Sequence, residues 1–176
     1  MDTPIALATL SAEDADCHLE ELGALLHACV HDGASLGFVL PYGLCEARQF
    51  WAGKVLPAMR DGSRTLWVAR VDGRIAGTVQ LDCDTPPNQP HRAEVRKLLV
   101  HPRHRRRGIG RMLMLELEQR ARATQRRLLT LDTRTGDHGE PLYAGLGYQR
   151  AGVIPEFCLD VLGQRVDPTT IMYKLL

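Results

Sequence analysis

A basic turn with two closely spaced glycines is the segment of this sequence best equipped for ligand chemistry. It runs from Arg103 to Arg111, between an apolar run and a helical pattern. Glycine at 108 and 110 lets the backbone approach a ligand closely, and the first N–H groups of a helix lack internal partners. The helix dipole favours an anion at that end, and arginine pairs well with phosphate oxygens. The segment therefore predicts a phosphate-bearing ligand.

Other interpretations of this turn stay open at the level of residues. A basic run alone is more often a solvated turn at the start of an amphipathic helix. A dinucleotide-binding fold is a second candidate, because Asp132 follows Gly110 by roughly 20 residues, where such folds keep a ribose-binding acid. Leu113 at the third glycine position and the seven residues between Val100 and Gly108 oppose it. A P-loop is excluded, since no GxxxxGKS/T run occurs.

The first part of the chain predicts two helices and a hairpin ahead of this turn. Apolar residues at helical spacing, after an acidic first turn, predict a helix over about 13–30. A second helix is expected over about 46–60. Two β-rich runs, 65–71 and 74–81, flank Asp72-Gly73, which suits a two-residue hairpin turn.

The second part alternates strands and helices around the turn. A strand at 93–100 leads into it, and a helix over about 108–123 follows. A short buried strand at 128–131, a short helix at 141–146 and a strand at 170–175 complete the pattern. This order describes one mixed sheet covered by helices, an α/β (mixed α+β) fold.

Composition narrows the class of protein. The 176 residues suit a single domain, 1–176, with one core. Hydrophobic residues make up 44% of the chain, yet no apolar run approaches the roughly 20 residues of a membrane span. A net charge of +1 gives no global attraction to nucleic acid or to an anionic membrane. Residues 1–4 lack the pattern of a secretory signal, so we expect a cytoplasmic protein.

Cysteine and histidine spacing predicts neither a disulfide framework nor a metal site. The cysteines are scattered without CxxC spacing, and we expect them to be reduced and mostly buried. They are Cys17, Cys29, Cys45, Cys83 and Cys158. His101 and His104 are expected to be loop residues, because no third ligand accompanies them. The sequence predicts no bound metal.

Two motifs resemble those of the GNAT superfamily of N-acetyltransferases. Arg105-x-x-Gly108-x-Gly110, preceded by Val100-x-Pro102, matches the superfamily's Q/R-x-x-G-x-G/A signature for acyl-CoA. Further on, the segment Leu142-Tyr143-x-x-Leu146-Gly147-Tyr148 is similar to its LYxxLGF segment. The resemblance implies a mixed, mostly antiparallel sheet of about six or seven strands, flanked by about four helices.

The same resemblance implies acetyl-CoA (coenzyme A) as cofactor and gives its position. The backbone of Leu98, Leu99 and Val100 would lie along the pantetheine arm. The pyrophosphate would be held by the turn and the helix start, at Arg105, Arg106, Arg107, Gly108, Ile109, Gly110 and Arg111.

Further segments resemble one branch of the superfamily, the tabtoxin resistance acetyltransferases of plant-pathogenic bacteria. They are HDGASLGF at 31–38, RAEVRKL at 92–98 and LDT at 131–133. This likeness favours a small α-amino compound as acceptor, such as an amino-acid-like toxin or antibiotic. An amino acid, a polyamine and a protein amine are the other acceptors considered.

Acetyl transfer to an amine is helped by a base. An amine with a pKa of about 10.4 is mostly ammonium near neutral pH, and only the free amine attacks a thioester. Glu94 lies six residues before Val100, where several GNAT members carry a base. Asp132 ends the neighbouring strand, and we predict that this pair binds and deprotonates the amine. The alternatives are a capping role for Asp132 and, for Glu94, an ion pair with Arg92, Arg96 or Lys97.

The resemblance also assigns a proton donor and an acceptor pocket. Tyr143 matches the tyrosine that protonates the leaving thiolate, whereas Tyr148 is expected in the core. The acceptor pocket is expected in the loop after the first helix, at His31, Asp32, Ser35 and Phe38. A simple helix cap at His31 and Gly33 is the alternative.

Two other classes of protein compete with an enzyme. A non-catalytic acyl-CoA-binding regulatory domain would keep the turn, but the joint presence of Glu94, Asp132 and Tyr143 opposes it. A nucleic-acid-binding module built on 103–107 is opposed by the near-neutral charge and the few aromatic residues. We expect a monomer or homodimer that acts on a small-molecule amine, with no nucleic-acid or membrane partner.

Overall fold

The first third of the chain forms one strand and a helical layer. In the computed structural model, which describes residues 4–176, β1 (Ile5–Leu10) is followed by α1 (Ala12–Cys17) and α2 (Leu19–His31). Next come α3 (Leu44–Phe50), a π-helical turn (Trp51–Val55) and α4 (Leu56–Arg60). The predicted N-terminal helix is therefore two helices that meet at His18. Residues 1–3, on which part of the signal-peptide prediction rests, lie outside the described residues.

The remaining elements follow the predicted order. They are β2 (Arg64–Val71), β3 (Arg74–Asp82), β4 (Arg92–Val100), a 3₁₀ turn (Pro102–His104), α5 (Ile109–Ala123), β5 (Leu128–Arg134), α6 (Gly139–Gly145), β6 (Gln149–Leu159) and β7 (Val166–Leu175). The predicted β2–β3 hairpin, β4, α5 and α6 are confirmed. Strands β1 and β6 were not located from the sequence.

The seven strands form one sheet in the order β1-β2-β3-β4-β5-β7-β6. Neighbouring strands are antiparallel except for β4 and β5, which are parallel. The parallel pairing covers Arg92–Glu94 opposite Leu128–Thr130 and goes no further. Beyond these residues β4 and β5 separate. The expected mixed, mostly antiparallel sheet is confirmed, with five helical segments when α3, the π turn and α4 are counted as one.

Two apolar cores lie on opposite faces of the sheet. Helix α5 buries Leu113 and Leu117 against one face, beside Leu129 of β5. Helix α2 and the π turn bury Leu26 and Trp51 against the other face. This arrangement fixes the start of α5 and the end of α2 on either side of the gap between β4 and β5. Among residues 4–176, no helix has the length and apolar character needed to cross a membrane.

The cysteines differ from expectation in their burial. All five are free thiols, but Cys29 alone among them is buried, and Cys17 and Cys45 are exposed. Cys83 and Cys158 are half-buried. The prediction of mostly buried cysteines was wrong, because Cys17 lies at the exposed end of α1 and Cys45 in the exposed first turn of α3.

Candidate functional site

The separation of β4 and β5 opens a cavity of about 990 Å³, at the upper end of the size of ligand pockets, about 300–1,000 Å³. Most of the residues predicted for the site line this cavity. They are Asp32, Ser35, Glu94, Leu98, Leu99, Val100, Arg105, Arg106, Gly108, Ile109, Gly110, Arg111, Asp132 and Tyr143. Among the described residues, His31, Phe38 and Arg107 are predicted site residues that do not line it.

Strand β4 carries a bulge where it borders the cavity. Two residues of β4 oppose one residue of β3 between the pairs Gln80–Arg96 and Thr78–Leu99. Lys97, inside this bulge, has a φ of 49°, and its carbonyl accepts a hydrogen bond of 3.1 Å from the Thr78 hydroxyl. A bulge bends a strand and is common beside active sites. Here it bends β4 away from β5 and leaves this edge of β4 open to the cavity.

The N-terminus of α5 forms one end of the cavity. Gly108 is the N-cap, with a left-handed φ of 79°, and α5 has no side-chain cap. Its first N–H groups are therefore available to an anion. A Cβ added at Gly110 would lie 3.2 Å from Leu142 Cδ2, so glycine preserves the narrow space between α5 and α6. An uncapped helix start in a cavity wall fits a phosphate group.

The arginines of the basic turn have different partners. Arg105 forms an ion pair with Asp32, and its Nε lies 3.4 Å from the Val100 carbonyl oxygen. The Arg107 guanidinium lies 3.3 Å from His104 Nδ1, outside the cavity wall. Arg106 is exposed, lines the cavity and has a φ of 63°. Arg105 thus ties the turn to the end of α2, whereas Arg106 presents its charge to the cavity.

The two predicted carboxylates line the same cavity but have different surroundings. Glu94 accepts a hydrogen bond of 3.0 Å from Arg96, which also contacts buried Asp82 at 2.9 Å. Asp132 is exposed, and its Oδ2 lies 3.4 Å from the Thr169 hydroxyl, which also donates to the Thr133 carbonyl oxygen at 3.0 Å. The ion pair with Arg96 considered for Glu94 is therefore present, and it coexists with a position in the cavity wall.

Tyr143 is held in the wall by close packing of α6 on β5. A Cβ added at Gly139 would lie 2.8 Å from the Thr133 hydroxyl and 3.2 Å from the Tyr143 ring. Burial raises the pKa of Tyr143 well above its ordinary value, and the charges of Asp132 and Asp137 raise it further. The phenol therefore keeps its proton. Tyr148 lies in the core, as predicted.

His31 and Phe38 occupy structural positions beside the cavity. His31 Nε2 lies 2.9 Å from the Tyr42 carbonyl oxygen, and its ring stacks on His27. The Phe38 ring packs against the rings of Tyr42 and Phe50. These contacts favour the helix-end interpretation of His31 and give Phe38 a packing role.

The loop after α2 lines the cavity directly and is also tied to β4 through Lys97. The Lys97 ammonium donates a hydrogen bond of 2.6 Å to the Leu36 carbonyl oxygen and lies 5.3 Å from the Phe38 ring centre. Burial, and then the charge of Arg96, lowers the pKa of Lys97 to about 8, although Asp132 acts in the opposite direction. Lys97 joins the bulge of β4 to this loop, and the sequence did not single it out for that role.

The β6–β7 hairpin lines the cavity with residues that were not predicted from the sequence. Phe157, Cys158 and Thr169 line the cavity, together with Arg134 at the end of β5. The Ser35 hydroxyl lies 3.8 Å from the Cys158 thiol, so the hairpin closes against the loop after α2. No local pattern marks these residues, because the pairing of β6 with β7 brings them to the cavity. Among residues 4–176, no group of three or more His, Cys, Asp or Glu side chains is arranged to hold a metal.

A mixed sheet whose strands β4 and β5 part beside an uncapped helix start defines an α/β protein with a cleft between these strands. Residues 28–148 match the acetyltransferase (GNAT) family, and the chain belongs to this family. Enzymes of this family use acetyl-CoA as the acetyl donor.

One relative is similar to part of the chain, and two solved structures share its fold. An uncharacterized N-acetyltransferase in the hisH-hisA intergenic region of Azospirillum brasilense is 33% identical over 114 residues, 64% of this chain and 66% of that protein. The chain thus spans just under two thirds of that relative. An acetyltransferase of the GNAT family from Streptococcus pneumoniae has a TM-score of 0.77 at 21% identity, covering 98% of this chain and 100% of its own.

A Salmonella typhimurium protein solved with its cofactor acetyl-CoA has the same fold. Its TM-score is 0.77 at 14% identity, covering 98% of this chain and 94% of its own. At these identities the two structural likenesses speak for the fold alone.

Proposed function

We propose that this protein is an acetyl-CoA-dependent N-acetyltransferase that acts on an amine of a small molecule. One observation carries the proposal: a single cavity brings together an uncapped helix start, two carboxylates and a buried phenol. A phosphate-binding site alone would need only the first of these. Glu94, Asp132 and Tyr143 add the groups that amine activation and thiolate departure require.

The coenzyme would be held along β4 and α5. Acetyl-CoA supplies an acetyl thioester and carries a pyrophosphate for the helix start. The backbone of Leu98, Leu99 and Val100 would contact the pantetheine arm on the open edge of β4. The pyrophosphate would be bound by Arg106, by Arg111 and by the N–H groups that follow Gly108. Arg105 would act through its ion pair with Asp32, which fixes the turn.

The amine would be received by the carboxylates. Asp132, exposed and bonded through one long hydrogen bond, is the better placed of the two to accept an ammonium. We assign the removal of the proton, directly or through water, to Glu94, because it lines the same cavity from β4. Loss of that proton produces the free amine that attacks the acetyl carbon, and the second proton that the nitrogen loses as the amide forms goes to solvent, from which the departing thiolate is protonated.

Tyr143 would stabilise the leaving sulfur. Because its pKa is raised while an ordinary thiol titrates near about 8.5, complete transfer of the phenolic proton to a thiolate is uphill. We therefore propose that Tyr143 donates a hydrogen bond to the departing sulfur as negative charge develops there. Backbone N–H groups near Leu99 and Val100 would serve the acetyl oxygen in the same way.

The acceptor we favour is a small α-amino compound, such as an amino-acid-like toxin or antibiotic. The likeness of three segments to the tabtoxin resistance branch supports this choice, and two of those segments contain Glu94 and Asp132. The competing function is a non-catalytic acyl-CoA-binding domain, which would need the α5 start but no carboxylates facing the same space.

Thiol release from acetyl-CoA tests the proposal. The purified chain would be assayed with amino acids, dipeptides, aminoglycosides and polyamines, while calorimetry measures acetyl-CoA binding. Acceptor-dependent release supports the transferase. Binding without release for the whole panel favours the regulatory domain, and absence of acetyl-CoA binding contradicts both.

A further inference from the structure

Strand β6 contains a wide bulge where it passes the cavity. Ile154 pairs with Thr169 and Cys158 pairs with Asp167, so three residues of β6 lie opposite one residue of β7. Glu156, in the middle of the bulge, has a φ of 49°. Positive φ is uncommon for a residue such as glutamate and costs free energy, and such residues cluster at functional sites.

The bulge places an aromatic side chain in the cavity wall. Phe157 lines the cavity, yet 48% of its surface is exposed. Ile154 and Leu159, on the same strand, are exposed to a similar extent, 44% and 52%, but do not line the cavity. A bulge changes the direction of a side chain relative to a regular strand. The ring of Phe157 therefore lies on the edge strand of the sheet and also forms part of the cavity wall.

Contacts with the first part of the chain hold this wall in place. Next to Phe157, the Cys158 thiol lies 3.8 Å from the Ser35 hydroxyl. Further along, the Leu40 N–H donates a hydrogen bond of 2.8 Å to the Val161 carbonyl oxygen. These two contacts fix the hairpin against the loop after α2, so the ring belongs to a supported surface.

The same hairpin also contacts the carboxylate assigned to the ammonium. Thr169 pairs with Ile154 at the edge of the bulge, and its hydroxyl donates a hydrogen bond of 3.0 Å to the Thr133 carbonyl oxygen and lies 3.4 Å from Asp132 Oδ2. The Phe157 ring and the Asp132 carboxylate thus line the same cavity. An amine bound at Asp132 would therefore share the cavity with the Phe157 ring.

We propose that Phe157 is an acceptor-binding residue and that the acceptor is an amine with an apolar substituent, branched aliphatic or aromatic, on the carbon that bears the nitrogen. The inference rests on the proposed acetyl transfer and narrows its substrate class. Covering the exposed part of the ring would remove apolar surface from water in the bound state. Because this contact is present before and during the transfer, it changes KM more than kcat.

Matched amino amides test this specificity. Glycinamide, leucinamide and phenylalaninamide each carry a primary α-amine and a carboxamide, and they differ only in the substituent on the α-carbon. In the wild type, we expect kcat/KM for the two apolar amides to exceed that for glycinamide by about tenfold or more. The F157A variant should lower kcat/KM about fivefold to tenfold for the apolar amides, mainly through KM, and less than about twofold for glycinamide.

Two further variants separate recognition from general damage. F157L keeps an apolar side chain and should retain most of the preference, whereas I154A removes an exposed side chain outside the cavity and should change nothing. Equal losses for all three amides in F157A, or the same loss in I154A, would overturn the proposal. Binding of acetyl-CoA without acetylation of any amide would overturn the acceptor class and leave the transferase standing. If acetyl-CoA did not bind, the proposed acetyl transfer itself would be wrong, and the acceptor proposal would fall with it.

Discussion

At the scale of single residues, the two carboxylates of the cavity are distinguished by their partners. Glu94 forms an ion pair with Arg96, which also pairs with Asp82, whereas the neighbour of Asp132 is the Thr169 hydroxyl. We expect D132N and E94Q each to lower kcat/KM at least about tenfold, because each removes a group that receives the amine or its proton.

Steady-state thiol release measures this effect, and calorimetry should find acetyl-CoA affinity unchanged in both variants. E116Q is a matched control, since Glu116 is an exposed carboxylate of α5 that does not line the cavity. Unchanged kinetics in both carboxylate variants would contradict the assignment.

Tyr143 gives a second prediction at this scale. Burial raises its pKa, so the phenol stays protonated throughout an accessible pH range and adds no alkaline limb of its own to the rate profile. The Y143F variant should therefore lower kcat about 10²-fold or more by a factor that is constant with pH. A pH–rate profile of kcat for both proteins tests this. If Y143F turned over normally at every pH, the hydrogen bond to sulfur would be wrong.

At the scale of elements, Lys97 links the bulge of β4 to the loop after α2, and its titration gives a third prediction. Its pKa is lowered from 10.5 to about 8 in the folded protein. Between these two values the unfolded chain binds more protons, so the free energy of unfolding gains a contribution that rises with pH. The cost of burying the charge is complete below the folded pKa and disappears as the pH approaches the unfolded one.

K97M removes this titration together with the bond to Leu36. The thermal midpoint of K97M minus that of the wild type should therefore fall as the pH is raised from about 7 to about 10. Subtracting one protein from the other cancels the groups they share, including nearby Arg64, Arg96 and Asp132. A difference that stayed constant over this range would mean that Lys97 titrates normally.

Sequence pattern alone located the elements that form the proposed cofactor site. Strand β4, the glycines and α5 follow from local spacing, because an apolar strand, Gly108 and Gly110 and a helical stripe are contiguous in the chain. The bulge at Lys97 does not follow, because it depends on the register between β3 and β4. Strand β6 escaped prediction because almost all of its residues are exposed and it contains Gly152 and Pro155, both uncommon within strands.

At the scale of the whole molecule, the cavity is assembled from distant parts of the chain. Ser35 lies early in the chain and Phe157 late in it, and the pairing of β6 with β7 gives Phe157 its position in the cavity wall. The residues predicted for the acceptor pocket, all at the end of α2 or in the loop after it, therefore covered only one side of the cavity; the β6–β7 hairpin forms another part of its wall. Asp32 and Ser35 line the cavity, whereas His31 and Phe38 support the loop behind it.

The short pairing between β4 and β5 predicts that coenzyme A raises the thermal stability of the folded protein. Strands β4 and β5 pair over three residues each, so a ligand that spans the gap beyond them binds the folded protein and not the unfolded chain. Coenzyme A at about 100 times its Kd should raise the free energy of unfolding by about 2.7 kcal/mol. For a domain of this size that corresponds to a rise of about 5–10 °C in the thermal midpoint.

The matched variants are R106A and R103A, because both side chains are exposed in the same turn but only Arg106 lines the cavity. R106A removes a charge that would pair with phosphate, so it should show a clearly smaller rise at the same ligand concentration. R103A should retain the rise of the wild type. Equal shifts in the two variants would mean that the turn attracts the coenzyme only through its overall charge, and the separate role of Arg106 in the cavity wall would then be wrong.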